Sequence, residues 1–331
     1  MKADPRHIKF AKEILEFIRE NDHFLVSAHI NADGDAVASV IAMHLFLKHL
    51  GKTTYMALSD QEIDHRLHFL SGIKEIKPYS EVLKQSLKPQ IHAAVLLDVP
   101  SYSRLGVVSE LLPDKSRIVK IDHHPQEDNL GAIEWVDEGA SSTAAMVYEI
   151  LEYAKVKFTP EMADAVYTGI VYDTGRFSFS NTTARDMYIC SRMIESGVKP
   201  SEITNRLFFE NSFKALKIIG KGLYSLENYL DGAVNVIYLS LDDMNQSDHG
   251  EIEELANYSV AIRGGEVGLF IREVKPGFHK ISFRSKGKVD VNHVAKAFGG
   301  GGHARAAGCR IDGTRDEIIS SIIKEIATQL S

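Results

Sequence analysis

Three short β-rich runs lie in the first half of the chain, separated by stretches whose apolar residues recur at helical spacing. The runs are HFLVSAHI (23–30), IHAAVLLDV (91–99) and RIVKID (117–122). The central run is apolar almost without interruption, which is typical of a strand buried on both faces. Strands of this kind alternating with helices predict an α/β fold, with a mostly parallel sheet and helices on both of its faces.

A second β-rich pattern begins at AVNVIYLSL (233–241) and continues in SVAIRG (259–264), EVGLFIREV (266–274) and HKISFRS (279–285). The stretch that precedes it has helical periodicity. We therefore predict three parts: a first domain over 1–185, a helical connector over 186–230 and a smaller C-terminal α/β domain over 231–331. In the last part, helices are expected near 248–257, 291–298 and 314–330.

Length and composition narrow the class of protein. The 331 residues suffice for two domains, and the net charge of −7 excludes a generally basic protein that coats nucleic acid. Two isolated cysteines, Cys190 and Cys309, argue against a disulfide scaffold and fit a reducing compartment. No apolar run approaches the length of a membrane span, and the N-terminus has the pattern of an amphipathic helix. We expect a cytoplasmic protein without a membrane partner.

Acidic and histidine residues follow the predicted strands. In an open parallel sheet, ligands bind beyond the carboxyl ends of the strands, so these side chains are expected to meet at one edge. They are His29, Asp33 and Asp35 in HINADGD, Asp98 in LLDV, Asp122, His123 and His124 in KIDHHP, and Asp173 in VYDTG at the end of a later helix.

A single Asp after a strand is usually a helix cap or a turn residue. The whole set does not fit that interpretation, because like charges a few ångströms apart repel by on the order of 1 kcal/mol or more near a surface. Divalent cations would remove that repulsion. Carboxylate and imidazole ligands without thiolate favour Mn²⁺, with Mg²⁺ or Fe²⁺ as alternatives, over structural zinc. The number of ligands predicts two cations, with Asp98 as the shared carboxylate.

HINADGD, LLDV, IDHH and VYDTGRFSFSN resemble the four successive motifs of the DHH phosphoesterase superfamily, named after the triplet at 122–124. The segment FRSKGKVDVNHVAKAFGGGGHARAAG (283–308) resembles the DHH-associated C-terminal domain. At this length, the combination is similar to the NrnA-like branch of nanoRNases and pAp phosphatases, and the resemblance covers essentially the whole chain. It implies a catalytic, metal-binding N-terminal domain and a substrate-binding C-terminal domain.

The resemblance also implies roles for individual residues. One cation is held by His29, Asp33 and Asp98, and the second by Asp35, Asp98, His123 and Asp173. Asp122 orients the adjacent imidazoles. His124 faces the substrate, where it contacts the scissile phosphate or helps to protonate the leaving group. A water held by both cations loses its proton near neutral pH, and the resulting hydroxide attacks phosphorus.

Substrate contacts are expected from two regions. Arg104 follows Asp98 by six residues and matches an arginine of the family pattern, so we expect it to contact a phosphate or nucleotide. In the C-terminal half, four consecutive glycines predict a loop whose amides closely approach a phosphate or base. The candidates in that half are Arg284, Asn292, Gly300, Gly301 and His303.

These features predict a phosphoesterase that degrades very short oligoribonucleotides (nanoRNA) to mononucleotides. By resemblance, 3′-phosphoadenosine 5′-phosphate (pAp) is a second substrate. Nine basic against two acidic residues lie between Arg272 and Arg310. One local basic stretch in an acidic chain suits a short substrate rather than long duplex nucleic acid. The resemblance also suggests a homodimer.

Several alternatives stay open. Within the enzyme class they are a phosphodiesterase of linear or cyclic dinucleotides (pApA, c-di-AMP) and an inorganic pyrophosphatase, although the glycine run and the basic stretch suit a ligand larger than pyrophosphate. A non-catalytic nucleotide sensor is the alternative from another class, and the intact ligand set argues against it.

Overall fold

The computed structural model describes residues 5–245 and 252–330. By its internal contacts the chain divides into two compact units, Met1–Glu210 and Asn211–Ser331. Each unit is built around its own six-stranded sheet.

The first unit contains a parallel sheet with the strand order β3-β2-β1-β4-β5-β6. This confirms the predicted α/β architecture. The order reverses direction between β1 and β4, and such a reversal leaves a crevice at the carboxyl ends of those two strands. The strands are β1 (Phe24–Ser27), β2 (Thr54–Leu58), β3 (Lys77–Pro78), β4 (Ala93–Leu97), β5 (Ile118–Asp122) and β6 (Ile133–Val136).

Helices cover both faces of this sheet. On one face Val26, Val95 and Val119 pack against α1, α2, α4 and α5. On the other face Leu25 and Leu96 pack against α3 and the 3₁₀ segment Tyr102–Leu111. The helices are α1 (Pro5–Glu20), α2 (Gly34–His49), α3 (Glu81–Leu87), α4 (Thr143–Tyr153), α5 (Pro160–Asp173), α6 (Ala184–Glu195) and α7 (Pro200–Phe208).

The second unit has a mixed sheet in the order β11-β12-β10-β9-β8-β7, in which only β8 and β9 pair in parallel among the described strands. One face packs on α11 and α12, and the other on α8 and α10. The elements are α8 (Phe213–Tyr224), β7 (Glu227–Tyr229), β8 (Val234–Leu239), α9 (Leu241–Met244), α10 (Leu255–Val260), β9 (Val267–Lys275), β10 (Phe278–Ser285), α11 (Val291–Ala297), β11 (Gly301–His303), β12 (Ala306–Asp312) and α12 (Arg315–Leu330).

The helices predicted as a connector over 186–230 are divided between the two units. Buried residues of α6 and α7, such as Ile189 and Leu207, belong to the core of the first unit. Ile218 and Ile219 of α8 belong to a core of the second unit. The reason is amphipathic packing: α6 and α7 bury their apolar faces against helices of the first unit, whereas α8 packs on strand β8 of the second.

One strand prediction in the second unit was wrong. SVAIRG was expected to be a strand, but Ser259 and Val260 end helix α10, where Leu255, Ala256 and Ser259 are buried on one side. Gly268 permits this packing, since a Cβ there would lie 2.3 Å from the Ser259 hydroxyl. The first part of the helix expected near 248–257 lies outside the described residues.

In the part of the chain that the structure describes, every helix is too short or too polar to cross a membrane.

Gly169 of α5 lies at the contact of α5 with α2 and α4. A Cβ there would lie 2.5 Å from the Cβ of Ala144 and 2.6 Å from Oδ1 of Asp35. We expect Gly169→Ala to lower the free energy of unfolding by about 1–3 kcal/mol, measured by urea denaturation. Gly220→Ala in α8, where nothing lies within 4 Å of the added Cβ, is the control and should gain about 0.5–1 kcal/mol. Wild-type stability of Gly169→Ala would contradict this packing.

Candidate active site

Asp98 lies at the centre of a cluster at the carboxyl edge of the first sheet, beside the point where the strand order reverses. Its carboxylate approaches three imidazoles: His29 Nε2 lies 3.3 Å from Oδ2, while His123 Nε2 and His124 Nδ1 lie 3.4 and 3.3 Å from Oδ1. Asp98 is 1% exposed. The sheet topology therefore brings together residues that are distant in the sequence.

The backbone at Asp98 adopts a left-handed conformation, with φ of 60°. This conformation is uncommon for a residue with a side chain and is found mostly where surrounding structure enforces it. The Asp98 N–H donates to the carbonyl of Ile121 at 2.9 Å, which ties the turn to β5. Asp98 and the Asp122–His124 triplet are thus positioned by one backbone contact.

Asp33 and Asp35 open helix α2 but are held differently. Asp33 is the N-cap, and its Oδ1 accepts the amides of Asp35 and Ala36 at 2.9 and 3.1 Å. Asp35 is fully buried in the first turn. Its oxygens accept the amides of Thr143 and Ala144 at 2.6 and 3.0 Å. The N-terminus of α4 therefore faces the Asp35 carboxylate, where its partial positive charge is favourable.

Asp173 is the last residue of α5, and its Oδ2 lies 3.2 Å from His123 Nε2. Two groups of three ligands place one ligand atom each within 4.8 Å of one another: His29, Asp33 and Asp98, and Asp35, Asp98 and His123. Asp98 is common to both groups. The residues proposed from the sequence to hold two cations thus lie together, with Asp98 between the two sets.

The charges of this cluster require compensation. Burial, with the charges of Asp98 and Asp173, raises the pKa of Asp35 well above its usual range. Burial, with the charges of Asp33 and Asp98, also raises the pKa of Asp173 to about 7, although His123 opposes this. Burial opposes ionisation of Asp98 as well, but the nearby imidazoles outweigh it and hold its pKa well below the usual range.

Burial acts on the imidazoles with the opposite sign, but contacts with the carboxylates outweigh it. Burial lowers the pKa of His29, but its hydrogen bond to Asp98 outweighs burial and raises the pKa to about 9. For His123, the charge of Asp173 and the contact with Asp98 likewise overcome burial and raise the pKa to about 10. His29 Nδ1 contacts the carbonyl of Ile30 at 2.8 Å and so donates, which directs Nε2 to the carboxylates. This donor set fits divalent cations, which keep carboxylates ionised and imidazoles neutral.

Asp122 and His124 form a pair beside this donor set. Oδ1 of Asp122 accepts the backbone amide of His124 at 3.1 Å and faces its Nδ1 at 2.9 Å. Nδ1 must carry a proton here, since an ionised carboxylate only accepts hydrogen bonds. The pair fixes both the ring orientation and the tautomer of His124.

Sequence reasoning missed two residues that support the cluster. Thr143 Oγ1 donates to Asp98 Oδ1 at 3.0 Å. Asp60 accepts the amides of Asn31 and Ala32 at 2.7 and 3.1 Å, which fixes the loop that carries His29 and Asp33. The Ser-Ser-Thr sequence at the start of α4 is typical of a helix N-cap. The acceptor of the Thr143 hydroxyl is Asp98, however, which is more than 40 residues away along the chain. Asp60 carried no motif.

Arg104 lies in the 3₁₀ segment near the end of β1. Its carbonyl accepts the amide of Ile30 at 2.7 Å. A Cβ at the nearby Gly106, whose φ is 63°, would lie 2.3 Å from the Ile30 side chain. This close approach brings Arg104 to the loop that contains His29.

The remaining candidates lie in the second unit. The Arg284 guanidinium is oriented by Nε, which donates to Asn257 at 2.9 Å, and by Nη1, which donates to the Phe283 carbonyl at 3.0 Å. The buried Oδ1 of Asn292 has no hydrogen-bond partner among the described residues. It lies 3.8 Å from the position of a Cβ at Gly301. An orphaned buried acceptor beside a bare glycine is what an absent ligand donor would satisfy.

The glycine run differs from the predicted loop. Gly301–His303 forms the edge strand β11, paired with β12, and Phe298, Gly299 and Gly300 connect it to α11. The strand is possible because it pairs closely without side chains: a Cβ at Gly300 would lie 2.1 Å from the carbonyl oxygen of Gly308, and Gly302 has φ of 145°. The expectation of four glycines in a loop was therefore wrong, and the close backbone approach seen here is to strand β12.

The fold and the cluster together define an α/β protein with a ligand set for divalent cations at a topological switch point. The model of the DHH family, N-terminal domain, matches residues 23–170, and that of the DHHA1 domain matches residues 233–330. The chain belongs to the DHH family of phosphoesterases.

Known proteins similar to this chain align with it over nearly its full length. The chain is 28% identical over 330 residues to a bifunctional oligoribonuclease and PAP phosphatase NrnA of Thermus thermophilus, covering 99% of this chain and 97% of the relative. An exopolyphosphatase-related protein of Bacteroides fragilis superposes with a TM-score of 0.89 at 24% identity, covering 98% of both chains. RecJ of Thermus thermophilus, solved in complex with Mn²⁺, superposes at 0.54 with 11% identity, covering 98% of this chain and 54% of RecJ. The two structures show the shared fold.

Thr143 offers a direct test of how Asp98 is held. We expect Thr143→Val, which keeps the shape but removes the donor, to weaken Mn²⁺ binding by about 10- to 100-fold in calorimetric titration. Thr143→Ser keeps the hydroxyl and should bind Mn²⁺ within about threefold of wild type. Equal affinities for the two variants would show that the hydroxyl does not orient Asp98.

Proposed function

We propose that the protein is a two-metal phosphoesterase that degrades very short oligoribonucleotides to mononucleotides and also dephosphorylates pAp. The observation that carries the proposal is the convergence of three imidazoles and the two ligand groups on the buried Asp98. The substrate class is supported by the name of the Thermus relative, which aligns over nearly the whole of both chains.

In the proposed site, His29, Asp33 and Asp98 hold one cation, and Asp35, Asp98, His123 and Asp173 hold the other. When bound, the cations would supply a water of lowered pKa as nucleophile and positive charge for the phosphoryl oxygens. Mn²⁺ is the proposed metal, because the donors are carboxylates and imidazoles and because the related fold of RecJ was solved with Mn²⁺.

The protein groups have distinct tasks in this proposal. Asp122 keeps the Nδ1 proton of His124 in place, so a proton delivered to the leaving oxygen comes from Nε2 of that ring. Contacts with Asp98 and Asp122 outweigh burial and raise the pKa of His124 well above its usual value, which favours the cationic, proton-donating form. Arg104 contacts a substrate phosphate near the metals.

The second unit would hold the rest of the substrate. Arg284 contacts a phosphate, and the orphaned Oδ1 of Asn292 accepts a hydrogen bond from a nucleoside. The bare backbone at Gly301 allows close approach, because among the described residues a Cβ there would meet only Asn292 Oδ1, at 3.8 Å. Gly300 precedes it in the chain, and His303 follows on the edge strand. We further propose that the enzyme is cytoplasmic, that it forms a homodimer and that it does not bind long duplex nucleic acid.

Substrate comparison tests this function. Purified protein with Mn²⁺ is incubated with a ribodinucleotide, pAp, c-di-AMP and pyrophosphate, and release of mononucleotide or phosphate is measured. Turnover of the ribodinucleotide and pAp is expected. Preference for c-di-AMP would identify a cyclic dinucleotide phosphodiesterase. Preference for pyrophosphate would contradict the proposal that the second unit binds part of the substrate. No turnover by metal-loaded protein would favour a nucleotide sensor.

Removing the shared carboxylate should abolish activity. We expect Asp98→Ala to lower kcat by roughly 1,000-fold or more, because both cation sites lose a ligand. The control Glu20→Ala removes an exposed carboxylate at the end of α1 and should leave kcat unchanged. Near-normal turnover by Asp98→Ala would refute the assignment of Asp98.

Arg284 should act mainly on binding. We expect Arg284→Ala to raise KM by about 10- to 100-fold with little change in kcat, because a charge-assisted contact to the bound substrate is lost. Lys286→Ala, which removes a neighbouring exposed cation, is the matched control for loss of positive charge. If both variants raise KM equally, Arg284 provides only general electrostatic attraction.

A further inference from the structure

Lys120 is a fully buried lysine in β5, two residues before Asp122. Its exposed fraction is zero, and apart from Asp122 the other residues of this strand are apolar. Burial of an ammonium group is costly unless a charged or polar partner compensates for it. An apolar side chain would fill this position at lower cost, so the charge calls for an explanation.

Among the described residues, the ammonium group has two polar partners. Nζ donates to the carbonyl of Pro100 at 3.0 Å and lies 3.8 Å from Oδ2 of Asp122. Lys120 and Asp122 lie on the same face of β5 because side chains alternate along a strand. Oδ2 of Asp122 accepts no hydrogen bond from any described residue. Lys120 is therefore the positive charge that faces the otherwise unsatisfied oxygen of this carboxylate.

The other oxygen of Asp122 serves His124. Oδ1 accepts the backbone amide of His124 and faces its Nδ1 at 2.9 Å. Asp122 is thus held on one side by Lys120 and holds His124 on the other. The Pro100 carbonyl, which also accepts the amide of Glu127 at 3.3 Å, fixes the ammonium group at its far end.

We infer that Lys120 is a positioning residue, whose buried charge fixes the Asp122 carboxylate and thereby the tautomer and orientation of His124. This inference rests on the proposed phosphoesterase function, in which His124 faces the scissile phosphate. Among the described residues, the polar contacts of the Lys120 ammonium group are with Pro100 and Asp122, and through Asp122 it acts on His124, the proton-donating group of the site.

Kinetics and metal binding measured together distinguish this role from general support of the fold. We expect Lys120→Met, of similar length but uncharged, to lower kcat by at least about tenfold. KM should change by less than about twofold, and the Mn²⁺ dissociation constant by less than about threefold. Ile118→Met, on the same strand and face, is the control for altered packing and should keep wild-type kcat. Equal losses in kcat and Mn²⁺ affinity would overturn the inference in favour of a structural role.

A double variant tests whether Lys120 acts through Asp122. Lys120→Met/Asp122→Asn should have the same kcat as Asp122→Asn within about twofold. Once Asp122 is replaced, Lys120 has no carboxylate left to position, so its removal should have no further effect. A further fall of about tenfold would overturn the inference. The double variant leaves no unpaired buried charge, so it can be measured even if Lys120→Met alone does not fold, and a wild-type kcat in it would overturn the inference.

A spectroscopic measurement separates this inference from the proposed function. In ¹H–¹⁵N spectra of the histidine side chains, the Nδ1–H signal of His124 is identified by its loss in His124→Gln. We expect this signal to shift or broaden in Lys120→Met and to stay unchanged in Ile118→Met. An unchanged signal in Lys120→Met overturns the inference even if the wild type is active. A changed signal supports it even if the wild type hydrolyses none of the four test substrates, a result that refutes only the proposed function.

Discussion

Electrostatic repulsion among buried carboxylates is the constraint on which the rest of the first unit depends. Asp33, Asp35, Asp98 and Asp173 meet at one edge of the sheet, and two of them are almost completely buried. The fold offsets part of this repulsion with imidazoles and with the N-terminus of α4. Divalent cations bound by the same carboxylates and imidazoles would remove the remainder.

This constraint also changes the meaning of the net charge of −7. The four carboxylates above contribute negative charge that two divalent cations would neutralise. In the second unit, by contrast, basic residues outnumber acidic ones by nine to two between Arg272 and Arg310. A chain that is acidic overall therefore still has a local excess of positive charge, which suits the short phosphorylated substrate proposed above.

The sequence was sufficient to predict the parallel sheet, because buried strands and amphipathic helices have distinct periodicities. It also indicated His29, Asp98 and the Asp122–His124 triplet, since residues that follow parallel strands share one edge of the sheet. Thr143, Asp60 and Lys120 could not be predicted in the same way. Each acts through a contact between distant segments, and a threonine, an aspartate or a lysine taken alone carries no signal of its partner.

The errors in the second unit have a similar cause. SVAIRG was expected to be a strand because it contains the β-branched residues Val260 and Ile262, but packing of Ser259 against Gly268 accompanies a helix that ends at Val260. The glycine run was expected to form a loop because glycine is entropically costly in strands. Pairing with β12 at a distance that excludes side chains places two of the four glycines in an edge strand instead.

The central claim is that Asp98 lies between two divalent cations, and anomalous diffraction from Mn²⁺-loaded crystals tests it most directly. Two manganese peaks are expected in each chain, both in contact with the Asp98 carboxylate. One peak should lie beside His29 and Asp33, and the other beside Asp35, His123 and Asp173. A single peak, or two peaks that do not share Asp98, would contradict the claim.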